Sequence, residues 1–495
     1  MVTSLDQTAA GDGLGRRAVR GATVTIVGQV GRVVVQTLSV VVLARLLTPN
    51  DYGLFAMVVS VAGIAEVFRD FGLSQAAVQA KTLSTAQRDA LFWVNSAIGV
   101  ALGLIIFFGS WTIAGFFRHP ELVPLTQAIS VVFVINGVAT QFRASLTRSL
   151  RFTALVLIDF GSTLAGLGLA IVLGILGFGV WALAFQLIVQ SAVVLGAAAA
   201  ICRWLPGRPR RGVGVRSFLR FGSHMVATQI ITYAGNNADT VTIGLAFGAA
   251  PLGIYNRPYQ LVMNIANQLR APITNVAIPV LSRLQDAPKR YWEFARVGQL
   301  ALGYTIVAAL SVATGAAGPL TEILLGHKWL ESAPVLSLLS ASAALQTLGY
   351  FGYWVYVSKG ITKALFNFNL VSVILKIAFL VVGAFWGVTG VAAGYFLSTL
   401  IKWPLSLAWI ARAIDGVPIR VFVYGFVRMA TLAGLGAGAA FLATLLTEPY
   451  GHWLQAIAAL CAVLCTYALA LLLPAVRRDV ADLAAAARML KREPI

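Results

Sequence analysis

The sequence predicts an all-α polytopic membrane protein of about fourteen transmembrane helices. Three observations predict it. Residue usage is 59% hydrophobic and only 11% charged, against roughly 25% charged in soluble domains. The apolar runs are long and continuous, where barrel strands would alternate over about ten residues. Helices alone then satisfy every backbone polar group in lipid. Finally, the basic residues gather between alternate apolar runs. A net charge of +19 would suggest nucleic acid in a soluble chain. Here membrane topology accounts for it, and nucleic acid is not an expected partner.

The chain is taken in order. Residues 1–20 are a polar, cytoplasmic N-terminal tail. The first apolar run is too long for a signal peptide and lacks a small-residue cleavage pattern, so it reads as an uncleaved crossing. Crossings are expected near 22–44, 53–72, 90–110, 122–142, 154–175 and 180–202, which make an N-terminal lobe over 21–203. The segment RWLPGRPRRGVGVR, rich in Pro, Gly and Arg, marks a basic cytoplasmic linker at 204–217. A C-terminal lobe over 218–411 follows, with crossings near 218–246, 251–281, 297–317, 333–357, 364–385 and 387–411. Two additional crossings, near 421–446 and 452–474, fill 412–474, and 475–495 is a cytoplasmic C-terminal tail. With the N-terminus inside, 28 of the 37 Lys and Arg residues fall on the cytoplasmic side and 3 on the other, with 6 within crossings. That asymmetry follows the positive-inside rule, so both termini are expected in the cytoplasm.

The first crossing carries the key feature. Gln29, Arg32 and Gln36 lie at i, i+3 and i+7 and share one helical face, extended by Thr25 and Ser39. Arg32 falls near mid-membrane, where a charge costs about 2.5–3.5 kcal/mol on insertion scales. Such a stripe belongs against other helices or a wet cavity, either as an internal packing charge or as a cationic wall. Two hundred residues later the pattern returns. Gln229, Thr232 and Asn236 repeat the stripe, Asp239 adds a turn, and Gly253 and Tyr255 follow as Gly53 and Phe55 do in the first half. Pro49 and Pro251 mark the turn in each half. Internal repeats with a site at their interface are a transporter device.

Other polar positions extend the candidate site. In the eighth crossing Arg257, Gln260, Asn264 and Asn267 run along one face, with Arg270 a turn on. The eleventh adds Asn369, Ser372 and Lys376 at i, i+3 and i+7. Lys402 and Arg428 are expected to snorkel to the inner surface. Glu66 and Arg69 are expected to pair, Asp159 to suit a helix N-terminus, and Asp51 to cap the second helix. Asp239 is a candidate for a coupling Na⁺ or H⁺, or for an ordinary ion pair. Cys202, Cys461 and Cys465 form no disulfide framework, and no metal or other cofactor is expected.

The stretch VVLARLLTPNDYGLFAMVVSVAGIAEVFRDFGLSQAAVQ at 41–79 resembles the opening signature of bacterial polysaccharide transporters of the multidrug/oligosaccharidyl-lipid/polysaccharide flippase superfamily. LLGHKWLESAPVLSLL at 324–339 resembles the same family, where a short outer helix precedes the tenth crossing. The resemblance implies two six-helix bundles around a central cavity, opening alternately to either side, with the two C-terminal helices additional to them. It implies an undecaprenyl-pyrophosphate-linked oligosaccharide as cargo and the bacterial inner membrane as location. A polysaccharide polymerase and export machinery are implied as partners. Related lipid II flippases place cavity arginines on the first, second and eighth helices; here the second offers only Arg69, at its inner end. Arginine matches phosphate oxygens in bidentate fashion. The substrate set is therefore Arg32, Gln29, Gln36, Arg257, Gln260, Asn264, Asn267, Arg270 and Lys376. An ion-coupled multidrug antiporter is the alternative, but it would favour acidic residues in the cavity. A polymerase or glycosyltransferase would need a sizeable periplasmic loop or a carboxylate pair at the membrane surface; the longest outer loop, about 318–332, offers Glu322 and Glu331 but no catalytic cluster, and the sequence holds no P-loop for an ATP-driven pump.

Overall fold

The computed structural model describes residues 31, 35–70, 84–208 and 216–492, with side chains undescribed at 70, 216–228, 231 and 486–492. Gln29 and Arg32 lie outside the described residues, as does most of the basic linker. Sixteen helices run through the described part. They are α1 (Val35–Leu46), α2 (Pro49–Asp70), α3 (Thr85–Phe117), α4 (Leu122–Arg148), α5 (Phe152–Ile175), α6 (Val180–Cys202), α7 (Arg216–Phe247) and α8 (Ala249–Arg283). The rest are α9 (Pro288–Gly315), α10 (Ala317–Leu324), α11 (Ala333–Gly349, continued by Phe351–Ser358), α12 (Thr362–Ala384), α13 (Gly387–Ala413), α14 (Ile419–Leu446), α15 (His452–Ala470) and α16 (Pro474–Arg492). Eleven of the helices are long and apolar enough to cross a membrane. Of the fourteen expected crossings, α1, α7 and α8 fall outside those eleven. α1 is described only from Val35, and α7 and α8 carry the polar load noted in the sequence. The chain forms two compact units, Met1–Ala234 and Gly235–Ile495, with the boundary inside α7.

In the first unit, Thr48 and Asp51 cap α2 reciprocally. The Thr48 amide donates to Asp51 Oδ2 at 2.8 Å, and the Asp51 amide to Thr48 Oγ1 at 3.3 Å. Pro49 takes the first helical position, where its missing N–H has no cost. Ser84 and Gln87 form the same kind of box before α3. α3 and α4 then pack backbone to backbone. A Cβ on Gly99 would lie 2.6 Å from the Phe133 carbonyl oxygen, and one on Gly137 would lie 2.8 Å from the Gly99 Cα. Lipid gives no hydrophobic drive for helix association, so such close approach supplies the attraction. The charges near the ends of these helices are paired. Arg69 meets Glu66 at 2.6 Å and Thr140 at 2.5 Å, and Arg143 grips Asp159 with both terminal nitrogens, at 2.5 and 3.2 Å.

The second unit is more irregular. α9 passes through a π-helical turn at Gly303–Val307, where Gly303 leaves room for the Met429 thioether of α14. Before α11 lie the short α10 and a 3₁₀ segment, His327–Ser332, anchored by the fully buried Trp329. A short helical element is thus present where the 324–339 motif places one.

The C-terminal segment departs from expectation. Instead of a simple tail, Pro474–Arg492 is a helix docked on α9 and α14. Its Asp479 is buried. That carboxylate accepts from Arg428 at 2.5 Å and from the Tyr304 hydroxyl at 2.9 Å, and Arg296 lies 3.8 Å away while also pairing with Asp482. Arg428 is therefore an ion-paired side chain. The acidic face of α16 supplies a counter-charge that reading α14 alone could not reveal. Val476 of α16 packs with Leu432 and Ala470 beneath the same contact.

Candidate functional site

α8 is 35 residues long and holds three internal prolines, Pro258, Pro272 and Pro279. Each removes a helical N–H donor, and such breaks in membrane helices are tolerated where neighbours re-satisfy the backbone. The face expected to be continuous separates into two clusters. In the first, Arg257 is buried and reaches Gln260 at 3.4 Å, and Gln260 donates to Asn256 at 2.8 Å. In the second, roughly 20 Å along the axis at 1.5 Å per residue, Arg270 is also buried. Its Nη2 donates to Asn267 Oδ1 at 2.6 Å and its Nε to the Ala266 carbonyl at 3.2 Å, and its guanidinium lies 4.8 Å over the Tyr350 ring. Asn264 and Asn267 are exposed, as is Gln36 on α1.

Arg270 and Asn267 open onto a cavity of about 270 Å³ inside the second unit. Its other walls come from α11, α12 and α13. Gln346, Asn369 and Thr399 offer amide and hydroxyl groups, and Tyr350, Tyr353 and Trp403 offer ring faces. Lys402 lines the same cavity, so α13 places it beside residues of α8 and α11. Two cations, several amides and aromatic faces around one small space suit a polar, anionic, ring-containing ligand. The sequence pattern flagged the amides and arginines. It missed Tyr350, Tyr353 and Trp403, because aromatic residues inside an apolar run look like lipid-facing bulk.

Lys376 and Asp239, expected as substrate and ion-coupling residues, meet each other. Both are buried, and Lys376 Nζ lies 3.7 Å from Asp239 Oδ1. The ammonium donates to the Gly235 carbonyl at 2.7 Å and sits 4.6 Å over the Tyr395 ring. Asp239 also accepts from the Tyr255 hydroxyl at 2.9 Å and from the Thr240 amide at 3.1 Å. Tyr259 stacks on Tyr255 and meets Tyr395 edge-on, with centroids 6.0 Å apart in both pairs. Gln346 of the cavity wall donates to the Tyr395 hydroxyl at 3.1 Å, linking the cavity to this pair. No cluster of three potential metal-binding side chains occurs among the described residues.

Residues 42–334 match the family model described as "Polysaccharide biosynthesis protein". The chain belongs to this family. Relatives of this polysaccharide biosynthesis family member include the lipopolysaccharide biosynthesis protein WzxC of Escherichia coli (strain K12), 27% identical over 413 residues and 81% of each chain. The teichuronic acid biosynthesis protein TuaB of Bacillus subtilis (strain 168) is 25% identical over 338 residues, 67% of this chain and 69% of its own. Among solved structures, the lipid II flippase MurJ in an inward closed conformation superposes with a TM-score of 0.68 at 12% identity, covering 92% of this chain and 99% of its own. An inward-facing transporter of the multidrug resistance MATE family gives 0.60 at 15% identity, over 83% and 98%. At those identities the two structures establish a shared fold. This polysaccharide biosynthesis family member is thus a multi-pass, all-α membrane protein with that architecture.

Proposed function

We propose that the protein is a flippase that moves an undecaprenyl-pyrophosphate-linked oligosaccharide repeat unit from the cytoplasmic to the periplasmic leaflet. Alternating access carries the unit into exopolysaccharide, capsule or O-antigen assembly. The protein resides in the inner membrane with both termini cytoplasmic and delivers its cargo to a polymerase and export machinery, and it performs no catalytic step. The observation that carries this reading is the cavity holding Arg270 and Lys402 among amides and aromatic rings. The polyprenyl tail can remain in lipid, sugars stack on ring faces and bond to amides, and a pyrophosphate needs fixed cations. Arg270, Asn267 and Lys402 contact the headgroup there, while Arg257 with Gln260 and Asn264 extends the polar track along α8. Gln29, Arg32 and Gln36 of the first crossing complete the proposed set of substrate residues.

Family membership and relatives named for polysaccharide biosynthesis support this reading over a multidrug antiporter, whose cationic cargo would call for carboxylates where Arg270 and Lys402 stand. The test is polymer export in a host lacking its own flippase. Arg270→Ala and Lys402→Ala should each abolish export while the protein still accumulates in the membrane fraction. Normal export from both variants, or drug resistance conferred in place of export, rules the reading out.

A further inference from the structure

The pair Lys376–Asp239 sits in a dry setting, built from four helices. α7 gives Asp239 and Gly235, α8 gives Tyr255 and Tyr259, α12 gives Lys376, and α13 gives Tyr395. The groups around the ammonium are a carboxylate oxygen, a helix carbonyl oxygen and an aromatic face, at 3.7, 2.7 and 4.6 Å. Carboxylate and carbonyl oxygens are what a hard, dehydrated metal cation selects. The remaining carboxylate oxygen is held by Tyr255, so the carboxylate is oriented and not merely neutralised. Gly235 is part of the design. A Cβ there would lie 2.5 Å from a Val373 methyl, so glycine lets α12 approach closely enough for Lys376 to reach the carbonyl. That carbonyl has a second lone pair beyond its helical bond.

We infer that Lys376 is a built-in counter-cation: its ammonium occupies the position beside Asp239 that a Na⁺ ion would otherwise take, so the second unit binds no metal cation there. An external ion becomes necessary only when the lysine is removed. The consequence for transport, that this site draws no drive from Na⁺, rests on the flippase reading, whereas the binding itself does not.

The test uses the full-length protein in nanodiscs, melted in NaCl and in choline chloride. Wild type should melt at the same temperature in both. Lys376→Met should melt lower in choline, and Na⁺ should raise its midpoint saturably by about 2 °C or more. Lys376→Met combined with Asp239→Asn should lose the Na⁺ response. Lys376→Gln, which is one bond shorter and keeps N–H donors without the charge, should behave as Lys376→Met does. A saturable Na⁺ response in wild type that Asp239→Asn removes overturns the inference. So does a folded Lys376→Met protein indifferent to Na⁺, and so does failure of both lysine variants to fold in Na⁺ and choline alike, since Na⁺ would then not replace the ammonium. Loss of export by Arg270→Ala is read separately and reports only on the flippase assignment.

Discussion

Positions 39 and 239 occupy the same register in the two halves, yet they hold different chemistry. Ser39 is buried in the first unit and receives a long 3.5 Å hydrogen bond from Gln186 of α6. Asp239 is buried in the second unit and receives Lys376, Tyr255 and the Thr240 amide. The neighbouring breaks also correspond, since α1 ends at Leu46 before Pro49 and α7 ends at Phe247 before Pro251. The turn positions thus correspond in the sequence, while one stripe holds a neutral pair and the other a charged one. Among the described residues, ion pairs of the first unit lie near helix ends, whereas the second unit buries one deep within its helices. Burying a charge pair away from helix ends is costly, and among the described residues that cost falls in the second unit.

That contrast can be broken, and the largest effect is expected at the charged copy. Lys376→Met in choline leaves Asp239 buried without its cation and should destabilise by about 3–5 kcal/mol, read by thermal melting. Removing both charges together should recover most of that loss, because the cost lies in the orphaned partner. Next comes Asp479→Asn, which deprives Arg428 and Arg296 of a shared carboxylate. It should lower stability by about 2–4 kcal/mol and raise protease sensitivity of the C-terminal segment. Gly235→Ala forces Val373 away and should cost about 1–3 kcal/mol, with a weakened Lys376 contact. The smallest change is Ser39→Ala, within about 1 kcal/mol. A Ser39→Ala loss as large as that of Lys376→Met would erase the distinction between the two copies.

Much of this was legible in the chain. Long apolar runs gave the helices, and the prolines at 49 and 251 gave the matched turns. The capping role of Asp51 and the Glu66–Arg69 pair followed from local spacing, because those partners are within a turn of one another. Partners across helices were not legible. Lys376 and Asp239 were both flagged, but 137 residues separate them, and only packing of α7 against α12 joins them. The surroundings of Lys402 and Arg428 were hidden for the same reason, since a helix read alone shows neither a cavity wall nor a carboxylate on another helix. The aromatic cavity wall was invisible to hydropathy, which scores Trp403 and Tyr350 by bulk and not by ring orientation.

The final helix has a practical side. One carboxylate on it gathers Tyr304 and Arg296 of the ninth helix together with Arg428 of the fourteenth. α14 and α16 are thereby yoked to α9. Clipping the chain before residue 474 would strand two guanidinium groups at once. Expression tags are therefore better placed beyond residue 495, with the last helix left whole.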